Sequence, residues 1–67
     1  MMKREKDLNV WDVFEFDTGL CISLFAYLGH NGTDYNALNL SAYKPVKLQL
    51  TFVDVNVVGK LKVEYYK

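Results

Sequence analysis

The amino-acid sequence predicts an all-β fold, a small five-stranded antiparallel meander that forms a curled sheet or a half-open barrel of the SH3-like or OB-like kind. Two observations lead to this prediction. Apolar and polar residues alternate along several segments, and clusters of Gly, Pro, Asn and Asp separate those segments. The chain has 67 residues, a length that predicts one domain near the lower size limit for independent folding.

The N-terminal region divides into an arm and a first strand. Residues 1–8 are mostly charged and show no periodic pattern, which predicts a mobile arm ahead of a single small β domain at 9–67. The segment 10–16, VWDVFEF, is rich in β-branched and aromatic residues and is predicted as a strand. A turn signal, DTG at 17–19, ends it.

The segment 20–28, LCISLFAYL, shows the alternation of a strand with two different faces. We expect its aliphatic side chains to face the core, and these are Leu20, Ile22, Leu24, Ala26 and Leu28. The opposite face then carries Cys21, Ser23, Phe25 and Tyr27.

The second half of the chain predicts three more strands. They lie at 35–43, 46–55 and 60–67, with a turn at 56–59 between the last two. The first of them has an alternative, a helix near 33–43 with a polar N-cap, which would make the fold α+β.

The stretch LGHNGTDY at 28–35 is predicted as a hairpin loop, because Asn-Gly between alternating segments is a strong hairpin signal. A two-residue turn would pair Leu24 with Asn39, and so would set apolar residues of one strand opposite polar residues of the next. A three-residue loop, HNG, with Gly32 in the left-handed conformation, pairs Leu24 with Leu38 instead. Because a slip of one residue turns every side chain to the other face, we expect the longer loop.

The sequence contains no constellation of residues that supports catalysis or metal binding. His30 falls at the tip of the predicted hairpin, with neither a nucleophile nor a second histidine to form a catalytic motif. Cys21 is expected to be a small buried hydrophobe. The acidic residues Asp12, Glu15 and Asp17 are expected to form a solvated strand edge and not a cation site. We therefore expect a protein that is not an enzyme and that uses no cofactor and no metal.

Composition limits the location of the protein and its partners. The eight acidic and eight basic residues cancel, which disfavours nucleic acid as the partner. No signal peptide is visible, and no apolar run approaches the roughly 18 residues that a membrane span needs. A lone cysteine is compatible with a reducing compartment. We therefore expect a cytoplasmic protein that does not bind membranes.

The candidate binding surface is the face opposite the predicted core. It is expected to carry the partner-binding aromatic residues Trp11, Phe25, Tyr27, Tyr35 and Tyr43. Exposed apolar patches usually mark binding surfaces, and Tyr and Trp are enriched in interfaces. We therefore expect a protein–protein interaction module of the size common among phage and mobile-element accessory proteins that modulate or inhibit host proteins. A homodimer through this face is a further expectation. One alternative is that the sheet curls or closes on itself and buries part of this aromatic face. Another is a small barrel that stacks single-stranded nucleic acid on the same aromatic residues.

Overall fold

The structure, a computed structural model, describes residues 1–29 and 34–62. Within these residues six antiparallel strands form one curled sheet that does not close. The strands are β1 Met2–Lys3, β2 Asp12–Asp17, β3 Ile22–Tyr27, β4 Ala37–Asn39, β5 Lys44–Val46 and β6 Val55–Lys60. Their order across the sheet is β1-β6-β2-β3-β4-β5. The predicted all-β fold is therefore confirmed, with one strand more than expected among the described residues.

The N-terminal segment belongs to the sheet. β1 pairs in antiparallel register with the start of β6. A short 3-10 helix follows at Glu5–Asp7, and the next residue, Leu8, buries its side chain in the core. The structure therefore does not separate residues 1–8, predicted as a mobile arm, from the rest of the domain predicted at 9–67. The charged residues of this segment concealed one apolar anchor, Leu8.

The strands β3 and β4 form the predicted hairpin, but their register differs from the prediction by two residues. Ala26, not Leu24, lies opposite Leu38. Leu40 donates its backbone N–H to the carbonyl oxygen of Leu24 over 3.1 Å. Because the shift is even, every side chain keeps the face that alternation assigned to it. The predicted three-residue loop at 30–32 lies outside the described residues.

The alternative helix near 33–43 is wrong over the described residues 34–43. Ala37–Asn39 is strand β4, and a turn follows it. The predicted turn at 56–59 is also wrong, because these residues lie within β6. Of the strand predicted at 60–67, Lys60 ends β6, and the residues after 62 lie outside the described part of the chain.

The segment predicted as a strand at 46–55 covers the core and does not extend the sheet. β5 ends at Val46 and β6 begins at Val55, and no strand lies between them. In this crossing segment Leu50 is fully buried, and Leu48 and Val53 pack against the core. Alternating apolar residues are found both in strands paired within a sheet and in unpaired segments that pack on a sheet. The pattern at 46–55 therefore did not distinguish the two.

The core lies on the aromatic face of the sheet. Phe14 and Phe25 are opposite each other on β2 and β3, with ring centroids 6.0 Å apart. Phe16 approaches Phe25 edge to face, also at 6.0 Å. The buried core cluster consists of Leu8, Phe14, Phe25, Tyr27, Ala37, Leu50 and Val55. The predicted core face and the predicted open face are therefore exchanged, because Leu8 and the segment 47–54 pack on the aromatic side.

Candidate functional site

The open side of the sheet is built from aliphatic residues of neighbouring strands. Side chains of directly opposed residues lie on the same face of a sheet. Val13, Ala26, Leu38 and Pro45 are successive cross-strand partners from β2 to β5. We call this surface the aliphatic face, and its residues are Val13, Ile22, Leu24, Ala26, Leu38, Leu40 and Pro45.

The aliphatic face is most exposed near the turn between β2 and β3. Ile22 is 67% exposed and Leu24 is 42% exposed, and Leu20 in the turn is 96% exposed. Ala26, by contrast, has no exposed surface, and its cross-strand partners are the larger residues Val13 and Leu38. The face therefore presents large aliphatic side chains to solvent at one end of the sheet.

Two carboxylates border the aliphatic face along β2. Glu15 and Asp17 lie opposite residues of the aliphatic face on β3, and both are exposed. The Nδ2 of Asn56 donates to Glu15 Oε2 over 3.5 Å. The backbone N–H of Gly19 donates to Asp17 Oδ1 over 2.8 Å, within the turn that joins β2 to β3. The partners of these hydrogen bonds are neutral groups.

The five aromatic residues expected to bind a partner do not form one surface. Phe25 and Tyr27 are 1% and 4% exposed and belong to the core. They present almost no surface to a partner, which corrects the expectation that they would bind one. Tyr35 and Tyr43 are exposed, and Trp11 is half-buried at the turn before β2. Burial of Phe25 and Tyr27 on the covered face follows from the exchange of the two faces.

A polar cluster holds the 3-10 helix against the sheet. The hydroxyl of Tyr27 donates to Glu5 Oε2 over 3.3 Å, and the Nδ2 of Asn36 donates to the same oxygen over 3.2 Å. Burial raises the pKa of Tyr27 above 10.0, and the charge of Glu5 and its hydrogen bond add to the rise. An open cavity of about 540 Å³ lies beside the cluster, lined in part by Val10 and Gly29. The contacts of this cluster position the N-terminal segment on the sheet, and the neutral phenol is held as a hydrogen-bond donor.

Asp12 lies at the start of β2, whereas Cys21 lies directly before β3. Asp12 is buried, and its Oδ2 accepts a hydrogen bond from the backbone N–H of Asn9 over 2.9 Å, which closes the turn before β2. Its side chain lies on the opposite face from Glu15, so the predicted acidic edge is divided. Cys21 is exposed, not buried as expected, and its Sγ is 3.4 Å from Ser23 Oγ. His30 lies outside the described residues.

Neither a metal centre nor a membrane span is found in residues 1–29 and 34–62. No group of three His, Cys, Asp or Glu side chains in those ranges is placed to hold a metal ion. No helix in them is long and apolar enough to cross a membrane. Comparisons of the chain with protein-family models, with curated proteins and with solved structures give no significant match.

Proposed function

We propose that this chain is a non-enzymatic protein–protein interaction module that binds its partner through the aliphatic face. The observation that carries the proposal is the exposure of Ile22 and Leu24 at one end of that face and of Leu20 in the adjoining turn. The solvent-facing side of an antiparallel sheet is usually polar. A contiguous exposed apolar patch usually marks a binding surface. Docking would remove this patch from water, which stabilises the complex by about 25 cal/mol for each Å² of apolar area buried.

A bound chain would occupy part of its partner's surface and could thereby modulate or inhibit a host protein. This is the role expected of a small phage or mobile-element accessory protein. The size of the chain supports that role, and the cytoplasm is the compartment in which we expect it. Binding of single-stranded nucleic acid is the alternative. It would draw on the exposed Tyr43 and its neighbour Lys44, since Phe25 and Tyr27 would have to leave the core to stack on bases.

A pull-down with matched variants tests the proposal. The variant Ile22→Ser/Leu24→Ser removes two exposed aliphatic side chains from the aliphatic face. The control Tyr43→Ser/Phe52→Ser removes two aromatic side chains that are 81% and 83% exposed elsewhere. Circular dichroism checks that both variants keep their strands. We expect a nuclease-resistant protein partner that the wild type and the control retain and the aliphatic-face variant loses.

The opposite pattern would contradict the proposal. A partner retained by the aliphatic-face variant would show that binding uses another surface. Material lost after nuclease treatment, together with failure of the Tyr43→Ser/Phe52→Ser control to bind it, would favour the nucleic-acid alternative.

A further inference from the structure

The charged side chains of the strands are divided between the two faces of the sheet. Glu15 and Asp17 lie on the side of the aliphatic face, as cross-strand partners of Leu24 and Ile22. The lysines of the strands lie on the other side, since Lys3, Lys44 and Lys60 are cross-strand partners of Val55, Asn39 and Asp12, which alternation places on the core face. The neutral total charge therefore conceals an acidic border on the aliphatic face.

This border limits what can cover the aliphatic face. Two copies docked through it would bring Glu15 and Asp17 of each copy to a surface on which the described strands supply no lysine or arginine. The cation beside Glu15 is the terminal ammonium of Met1, which already donates to Asn56 Oδ1 over 3.0 Å, and Asp17 is the last residue of β2. A polyanion would meet two carboxylates. Like charges brought together at an interface oppose association, whereas complementary charges favour it and select the partner.

We infer that the occupant of the aliphatic face is an amphipathic protein segment whose aliphatic stripe is bordered by lysine or arginine. This inference rests on the proposed function, and it adds the chemistry of the partner. The aliphatic stripe would pack on Ile22, Leu24 and Leu38, and the basic residues would approach Glu15 and Asp17. Such a segment satisfies both the apolar area and the charge of the surface, which a second copy of this chain does not.

Two synthetic peptides serve as probes. Each has about 18 residues in an amphipathic helical pattern with the same leucine stripe, one bordered by lysine and the other by glutamate. We expect the lysine peptide to bind about tenfold more tightly than the glutamate peptide at low salt, and the difference to shrink as salt screens the charges. Fluorescence anisotropy measures both affinities.

Two matched charge variants test whether Glu15 and Asp17 cause the preference for the lysine peptide. In Glu15→Lys/Asp17→Asn the border loses its negative charge, and the asparagine keeps the oxygen that accepts from Gly19. In the control, Asp7→Lys/Asp34→Asn, the net charge changes by the same amount at exposed residues outside the strands. We expect the first variant to lose or reverse the preference for the lysine peptide and the control to keep it.

Three results would overturn the inference. If both peptides bind equally well and Ile22→Ser/Leu24→Ser abolishes both, the proposed function stands and the inferred charge of the partner is wrong. If the control changes the preference as much as the border variant does, the total charge of the chain is responsible. If neither peptide binds and light scattering shows a dimer that Ile22→Ser/Leu24→Ser dissociates, the occupant is a second copy.

Discussion

The side-chain amide of Asn36 pairs with the backbone of Leu48 as a neighbouring strand would. Its Nδ2 donates to the carbonyl oxygen of Leu48 over 2.9 Å, and its Oδ1 accepts from the Leu48 N–H over 2.8 Å. The same Nδ2 reaches Glu5 Oε2. One side chain, 8% exposed, therefore fixes both segments that cover the core.

Replacing Asn36 should release the crossing segment. In Asn36→Ala the backbone N–H and carbonyl of Leu48 lose their partners, so we expect the free energy of unfolding to fall by about 2–4 kcal/mol. Urea denaturation followed by tyrosine and tryptophan fluorescence measures the loss. The control Gln49→Ala alters an exposed neighbour and should change stability by no more than about 0.5 kcal/mol. Equal stability of both variants would mean that the Asn36 amide contributes nothing.

Burial of the Tyr27 phenol beside Glu5 should make stability depend on pH at the alkaline end. The pKa of Tyr27 in the folded protein lies above 10.0, chiefly through burial. The folded state therefore holds this proton more tightly than the unfolded state. Its contribution is fully present below about pH 10 and is lost as the pH rises through the folded pKa. Denaturation series between about pH 8 and 11 should show a steeper fall for the wild type than for Tyr27→Phe, while Tyr43→Phe should follow the wild type.

Because the aromatic face is buried and the aliphatic face is open, substitutions of Phe25 and Ile22 on β3 should change the free energy of unfolding by different amounts. Phe25 is 1% exposed, so Phe25→Ala should lower the free energy of unfolding by about 3–5 kcal/mol. Ile22 is 67% exposed, so Ile22→Thr, which keeps the β-branch, should cost less than about 1 kcal/mol. Thermal and urea denaturation compare the two. A larger loss for Ile22→Thr would show that the aliphatic face is the buried one.

Leu8 should be the residue through which the N-terminal segment stabilises the fold. Leu8→Ala removes a core side chain that is 8% exposed, and we expect a loss of about 2–4 kcal/mol. Met2, an apolar residue of the same segment that is 61% exposed, provides the matched control. Met2→Ala should stay within about 0.5 kcal/mol of the wild type. A harmless Leu8→Ala would restore the view of this segment as a separate arm.

Phe52 carries backbone strain that a substitution can relieve. Its φ is 61°, in the left-handed region that bulky residues rarely adopt, and its side chain is 83% exposed. Asparagine tolerates that region, so Phe52→Asn should raise the free energy of unfolding by about 0.5–1 kcal/mol. Thr51→Asn is the control, because Thr51 is exposed and is not among the residues with positive φ. A destabilised Phe52→Asn would show that the aromatic ring makes a contact worth more than the strain.

Alternation in the sequence correctly predicted which side chains of β3 and of β4 share a face. Leu24 and Phe25 do lie on opposite sides of β3, and Leu38 and Ala37 do the same on β4. Which side would be covered was not predictable from the same pattern. Both sides are apolar, and burial of leucine, isoleucine or phenylalanine stabilises by similar amounts. Which face is buried depends on the segments that pack on the sheet.

The sequence patterns were misleading for the two segments that cover the core, residues 1–8 and 47–54. The charges of 1–8 suggested a solvated arm, although Leu8 is buried in the core and β1 pairs with β6. The alternation of Val46, Leu48 and Leu50 suggested a strand, although the partner of Leu48 is the Asn36 side chain and not another backbone. A contact between residues 36 and 48 leaves no periodic signal, so the aliphatic face could not be identified as the open one.

The position of β6 between β1 and β2 has a consequence for the order in which the protein forms. Hairpins from β2 to β5 join segments that are close in the chain, whereas Met2 pairs with Asn56 and Val13 pairs with Gly59. Distant pairings form slowly, because a long loop must close before they stabilise anything. During synthesis on the ribosome, β1 therefore cannot pair until β6 has been made. A chain that terminates before Val55 would leave the outer edge of β2 unpaired, and an unpaired edge strand is a template for aggregation.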